Sequence, residues 1–232
     1  MINKMPNHKD KRIALIVGAT GTLGKAIINN LISKNIQLIL VAKNIDKLEN
    51  LYNDIIDSSF LKPLIIPLDL NHGRSIDKLG GKVFEKYKKL DILINCSSFY
   101  PKLSPINHIL PKDFSKIINI NITASWQLIR SFDPLLRFSK YGRAYFFICK
   151  QKIYQEPYFS TYALSSISIE SLIKSWQKEI KKTNIIASTY DPGPIISKLR
   201  SSAFPGESIK NINTAKNAAT SFINLLEESY ES

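Results

Sequence analysis

Apolar residues along this chain fall into short unbroken runs, separated by stretches in which they recur every third or fourth position. The runs cover residues 13–17, 37–41, 64–68, 91–95, 143–149 and 185–189. Runs of this length, without polar alternation, suit strands that are buried on both faces. Between and after them, apolar spacing predicts helices over 25–34, 46–57, 76–88, 113–132, 161–182 and 213–229. In the second of these, Leu48, Leu51, Ile55 and Ile56 share one face. Strand and helix therefore alternate, which predicts an α/β fold, a doubly wound parallel sheet of about six strands with helices on both faces.

In such a sheet, the strand order that creates a ligand crevice is 3-2-1-4-5-6, with the crevice outside the carboxyl ends of the strands. The first of those ends is Gly18-Ala19-Thr20-Gly21-Thr22-Leu23-Gly24. Glycines there permit positive φ and close backbone approach, and the amides opening the next helix favour a phosphate. A purely steric strand-to-helix turn would also use glycines. The other ends are Ala42-Lys43, Asp69, Asn95-Cys96-Ser97, Cys149-Lys150 and Asp191-Pro192-Gly193, so chemically distinctive residues gather on one side of the sheet.

Composition narrows the picture. A chain of 232 residues without a linker or composition shift reads as a single domain, 1–232, with 1–11 as a flexible tail and 192–212 as a substrate loop. Its apolar runs are too short to span a bilayer, and no hydrophobic leader opens the chain, so a cytoplasmic protein with no membrane partner is expected. Two cysteines make no disulfide framework, and neither they nor His8, His72 and His108 have metal-ligand spacing, so no metal is expected. The net charge of +13 is scattered over almost every segment. That pattern disfavours nucleic acid as a partner.

Once these pieces are placed, the chain resembles the short-chain dehydrogenase/reductase family, in its short single-domain form, over almost its whole length. The resemblance implies a Rossmann-like domain that binds a nicotinamide dinucleotide and a small carbonyl or alcohol substrate, assembled as a homodimer or homotetramer. It makes Gly18, Thr20, Gly21, Thr22, Leu23 and Gly24 the pyrophosphate turn, with Thr22 where the family usually has glycine. Asp69 and Leu70 resemble the adenine contact, and Asn95 keeps the first residue of a motif whose later glycine is replaced by Ser98. Pro192, Gly193 and Ser197 resemble the turn that meets the nicotinamide carboxamide. Ala42 stands where NAD-type members carry an aspartate and Lys43 follows it, so NADP is preferred over NAD.

The catalytic positions implied by the family are Tyr162, Asn121, Cys149 and Ser166. Tyr162 matches the proton-transfer tyrosine, and Asn121 the helix asparagine of a proton relay. Cys149 stands in place of the substrate-facing serine, and Ser166 in place of a lysine four residues after the tyrosine. A serine cannot lower a phenol pKa as an ammonium does. Lys150, Lys152 and Lys198 are the amines near enough to substitute. The implied activity is hydride transfer between NADP(H) and a small carbonyl or alcohol, weak and reductive in direction. The alternative is a catalytically impaired member acting as a dinucleotide sensor or interaction scaffold. Trp126 and Trp176 fall on helices that pair subunits in the family, where packing outweighs a substrate role.

Overall fold

The computed structural model describes residues 11–231 apart from 33, 35, 60 and 151–155. The tail expected over 1–11 therefore lies outside the described residues, save for Lys11. Among the described residues, six strands form one parallel sheet: β1 (Ile13–Val17), β2 (Gln37–Ala42), β3 (Leu64–Pro67), β4 (Ile92–Asn95), β5 (Gly142–Phe147) and β6 (Ile185–Tyr190). Their order is β3-β2-β1-β4-β5-β6, the order expected for a sheet with a ligand crevice.

The unbroken apolar runs are explained by two cores, one on each face of the sheet. Leu15, Val17, Ile39, Val41 and Leu93 point to one face, where α3 (Arg74–Tyr87), α5 (Ala124–Arg137) and α6 (Ser160–Glu179) pack through residues such as Leu79, Phe132 and Ile173. Ala14, Ile16, Leu38, Leu40 and Ile94 point to the other, against α1 (Thr22–Ile32), α2 (Ile45–Ile56) and α8 (Ala215–Glu228) through Ile28, Leu51 and Phe222. A polar residue at alternate positions would fall inside one core or the other.

Two elements differ from the sequence expectation. The helix predicted over 113–132 is α4 (Pro111–Ile117), a π-helical turn (Ile118–Thr123) and α5, which continues past Pro134 because Leu135 and Leu136 are still buried. The π turn buries Asn121 at the wall of the site. The segment 192–212, expected as a loop, carries α7 (Lys198–Ala203) and a short 3-10 turn (Ile209–Asn211), and a bridge joins Ile195 to Asn213. The Ser197 side chain starts α7 by accepting from the Arg200 amide, and Arg200 in turn grips Glu207.

Candidate functional site

A cleft of about 1200 Å³ runs along the carboxyl ends of the strands, from Lys43 at one end to Phe204 at the other. Its floor is the turn between β1 and α1. Gly18 has φ +87°, and a Cβ there would lie 2.8 Å from the Ser97 amide nitrogen. A Cβ on Gly24 would collide with the Gly18 carbonyl oxygen, so the third glycine lets α1 sit directly on the turn. The amides of Gly18 and Ala19 both donate to the Val41 carbonyl, at 2.9 and 3.1 Å, which ties the turn to β2. No acidic residue occupies the first turn of α1, so nothing there opposes an anion at the helix N-terminus. Thr20, Gly21, Thr22 and Leu23 complete this part of the wall.

At the end formed by β2 and β3, Lys43 Nζ lies 2.7 Å from Asp69 Oδ2. Burial works to raise the Asp69 carboxyl pKa, but the hydrogen bonds from Lys43 and from the Asn71 amide outweigh it and hold it below the usual value. The Lys43 side chain is 72 % exposed, so the ammonium still faces solvent and the cleft. Leu70, Lys47 and Asn50 line the same end.

The opposite end is aromatic. Tyr162, on the first turn of α6, is 7 % exposed and stacks on Tyr100, with ring centroids 4.0 Å apart and planes 9° from parallel. Burial pushes the Tyr162 phenol up to about 12, and Cys149 adds to the shift. Cys149 lines the cleft, and its amide donates to Ser166 Oγ at 3.2 Å. Beyond β6, Gly193 takes φ +68° and donates its amide to Asp191 Oδ1 at 2.9 Å, while Pro192 and Ser197 lie in the wall beside it.

Three of the residues singled out from the sequence stand behind the wall. Asn95 is 3 % exposed, Asn121 2 % and Ser166 0 %. Asn95 Oδ1 accepts from the Ser97 amide at 3.2 Å and from Ser97 Oγ at 2.5 Å, while its Nδ2 donates to Ser125 Oγ. Asn121 donates through Nδ2 to the Phe99 carbonyl at 2.9 Å and to Ser165 Oγ at 3.0 Å, and accepts the Phe99 amide at 2.8 Å. These side chains shape the wall instead of forming its surface. Each has a buried amide or hydroxyl that is hydrogen-bonded within the protein, as burial demands.

Of the amines near enough to replace a lysine at position 166, Lys150 is held by Glu170 at 3.3 Å and Lys198 lines the cleft, while Lys152 lies outside the described residues. Cys96 is half-buried in the cleft wall, donates to the Val17 carbonyl at 3.1 Å and has its thiol pushed up to about 12 by desolvation, which keeps it protonated. Among the described residues, no group of His, Cys, Asp and Glu could hold a metal, and no helix is long and apolar enough to cross a membrane. Trp176 is buried with Nε1 donating to Asp133, whereas Trp126 is 45 % exposed.

Sequence reasoning missed Tyr100, Phe159 and Phe204 at the aromatic end and Lys47 and Asn50 at the other. The first three come from separate segments, and only the fold brings their rings together. Lys47 and Asn50 are separated by three positions on α2, next to Lys43, so helical spacing carried a signal for them.

A model of the family described as short chain dehydrogenase matches residues 12–208. Among curated proteins, the chain is 26 % identical over 206 residues to a dehydrogenase/reductase SDR family protein 7-like from Anopheles gambiae, covering 86 % of this chain and 64 % of the relative. A homologous relative from Drosophila melanogaster is 25 % identical, with 88 % of this chain and 63 % of the relative covered, so the chain spans just under two thirds of these insect proteins. It is also 26 % identical to an NADPH-dependent pterin aldehyde reductase from Arabidopsis thaliana, over 83 % of this chain and 78 % of that one. Among solved structures, a short chain dehydrogenase from Shigella flexneri complexed with NADP superposes with a TM-score of 0.83 at 22 % identity, covering 89 % of this chain and 87 % of that one.

Proposed function

Because this chain belongs to the short chain dehydrogenase family, we propose that it is an oxidoreductase that uses NADP(H) to reduce a small carbonyl compound. The observation that carries this reading is Tyr162, set in the cleft wall with its phenol pushed up to about 12 and therefore protonated at neutral pH.

The residues fit a dinucleotide. The space kept open by the missing side chains of Gly18 and Gly24, together with the acid-free start of α1, suits a pyrophosphate. Asp69 and Leu70 would flank the adenine, Lys43 would meet a 2′-phosphate, and Pro192, Gly193 and Ser197 would face the nicotinamide end. NADP over NAD is supported by Lys43 and by the absence of a carboxylate at Ala42, as well as by the NADP bound in the Shigella structure and the NADPH dependence of the Arabidopsis relative. When bound, the reduced nicotinamide supplies the hydride that goes to the carbonyl carbon.

The chain's own part is to orient the carbonyl and supply a proton. Tyr162 donates its phenol proton to the carbonyl oxygen as the double bond is reduced to an alcohol, and regains a proton from solvent through the cleft. Cys149 offers a thiol toward the substrate, a weaker donor than a hydroxyl. Ser166, in place of the family lysine, brings no cation to the phenol, and its hydroxyl oxygen accepts from the Cys149 amide. General acid–base help is worth roughly 10²–10⁴ in rate, and an unassisted phenol gives only part of it, so turnover is slow and favours reduction.

The test is NADPH consumption over a panel of carbonyl compounds, with Tyr162→Phe as the variant. The expected result is measurable turnover that falls at least 100-fold in the variant, with NADPH affinity by calorimetry unchanged within threefold. Tight NADPH binding with no turnover on any carbonyl would replace this reading with that of a dinucleotide sensor, and no binding at all would leave a scaffold.

A further inference from the structure

We propose that the chemical end of the cleft selects planar aromatic carbonyl compounds and that Tyr100 sets this preference, an inference that rests on the reductase reading above. Four rings form a continuous wall there. Tyr100 stacks on Tyr162 at 4.0 Å and 9°. Phe159 meets Tyr162 edge-on at 5.7 Å and 67°, and Phe204 lies 5.8 Å from Phe159 at 30°. All four line the cleft, and they come from the segment after β4, the start of α6 and the end of α7.

Tyr100, Phe159 and Phe204 are each only partly buried, so aromatic surface faces the space a substrate would fill. Apolar pockets of this kind bind by covering such surface, and a few polar groups fix orientation. The charged group nearest Phe204 is already engaged. Arg200 is held by both oxygens of Glu207, at 2.7 and 2.6 Å, so its guanidinium is not offered to a carboxylate on the substrate. Cys149 provides a thiol, a poor hydrogen-bond donor. Lys198 and Glu156 are charged groups that also line the cleft, but the contact area at this end is supplied by the rings, whose shape and faces set how the carbonyl meets Tyr162.

Tyr100 is held in advance of any ligand. The buried Asn121 side chain grips both the amide and the carbonyl of Phe99, the preceding residue, at 2.8 and 2.9 Å. From the other side, Lys116 Nζ sits 3.9 Å from the centre of the Phe99 ring. A buried amide and a cation thus fix the backbone that carries Tyr100, which is how a recognition surface is made rigid. Asn121 acts here as a positioning residue, through Phe99. Ring stacking beyond simple burial is worth on the order of 2- to 12-fold in affinity.

Acetophenone and cyclohexyl methyl ketone share a carbon skeleton and differ in planarity, so they separate stacking from plain apolar filling. Two measurements are made on the full chain: kcat/KM with NADPH, and ketone affinity by calorimetry with NADP+, which cannot reduce a ketone. The aromatic ketone is expected to be favoured about 3- to 10-fold in both. Tyr100→Leu should bring the ratio close to one and Tyr100→Phe should keep it, while Phe204→Leu should weaken the wider 2-acetonaphthone more than acetophenone. A ratio of one or less in the unsubstituted protein, a ratio unmoved by Tyr100→Leu, or no binding of either ketone overturns the proposal. An aromatic preference in binding without turnover keeps it and removes the reductase reading, whereas turnover without preference does the reverse.

Discussion

At the scale of single residues, the proposed role of Tyr162 as proton donor ties the direction of catalysis to its surroundings. Burial, with Cys149 adding to it, pushes the phenol up to about 12, above its ordinary value near 10. The protonated form, needed to reduce a carbonyl, is then complete throughout the neutral range, and the anion needed to oxidise an alcohol is scarce. Reduction should therefore be flat from about pH 6 to 9 with respect to this group, while oxidation climbs about tenfold per pH unit up to the phenol pKa. Initial rates in both directions across that range check this, and an oxidation plateau below about pH 9 would place the base elsewhere. Ser166→Lys puts a cation one helical turn from Tyr162, which favours tyrosinate. The oxidation profile of that variant should shift toward lower pH by at least one unit, read from the same rates. Tyr162 was named from the sequence through the family resemblance, whose catalytic motif falls within one local segment, Cys149 to Ser166, and the proton-transfer role remains a proposal. Tyr100 was not, because a ring stacked across two segments leaves no periodic trace in either.

At the scale of elements, the strand-turn-helix unit at the floor of the cleft owes its geometry to two glycines with nowhere to put a side chain. Gly18→Ala forces a left-handed φ on a residue with a Cβ, and that Cβ would press on the Ser97 amide and the Cys96 carbonyl carbon, at 2.8 and 3.0 Å. We expect a loss of about 1–3 kcal/mol in stability and at least tenfold in NADPH affinity, measured by urea denaturation and calorimetry. Gly81 provides the opposite case. It is exposed in the interior of α3 with no atom within 4 Å of a Cβ, so Gly81→Ala should add about 0.5–1 kcal/mol and leave NADPH affinity alone. A fall in stability for Gly81→Ala would contradict the open surroundings seen there. The glycine turn was readable because its residues are contiguous and their backbone demands are local. The π turn at Ile118–Thr123 was not, since its apolar spacing continues that of the flanking helices and only the tertiary wall reveals the extra residue.

At the scale of the whole molecule, the two ends of the sheet do different work. The parallel sheet was legible because each run is apolar on both faces and a sheet between two helical layers is the arrangement that buries such runs, whereas the strand order followed from the need for a ligand crevice. A charged residue near the start of β5 does not follow from that pattern. Arg143 is 4 % exposed, at the end of the sheet opposite the cleft, and it is explained only by the distant C-terminal segment. Its guanidinium donates to the Ser229 carbonyl, to Ser229 Oγ at 2.9 Å and to the Gly142 carbonyl at 3.0 Å, and lies 4.6 Å from the centre of the Tyr230 ring. Arg12, just before β1, covers the same ring at 4.8 Å. Arg143 thereby holds the segment after α8 onto the sheet, and α8 forms one of its covering layers through Phe222 and Leu226. Arg143→Leu removes the hydrogen bonds to Ser229 and to the Gly142 carbonyl together with the cation over the Tyr230 ring, so it should cost about 2–4 kcal/mol in urea denaturation. Arg143→Lys keeps the charge but loses the planar fork, and should recover less than half of that loss. Because the latch and the cleft lie at opposite ends of the strands, NADPH affinity should stay within about twofold in both variants at temperatures where they are folded. A tenfold loss of affinity in folded Arg143→Leu would mean that the two ends are coupled through the sheet.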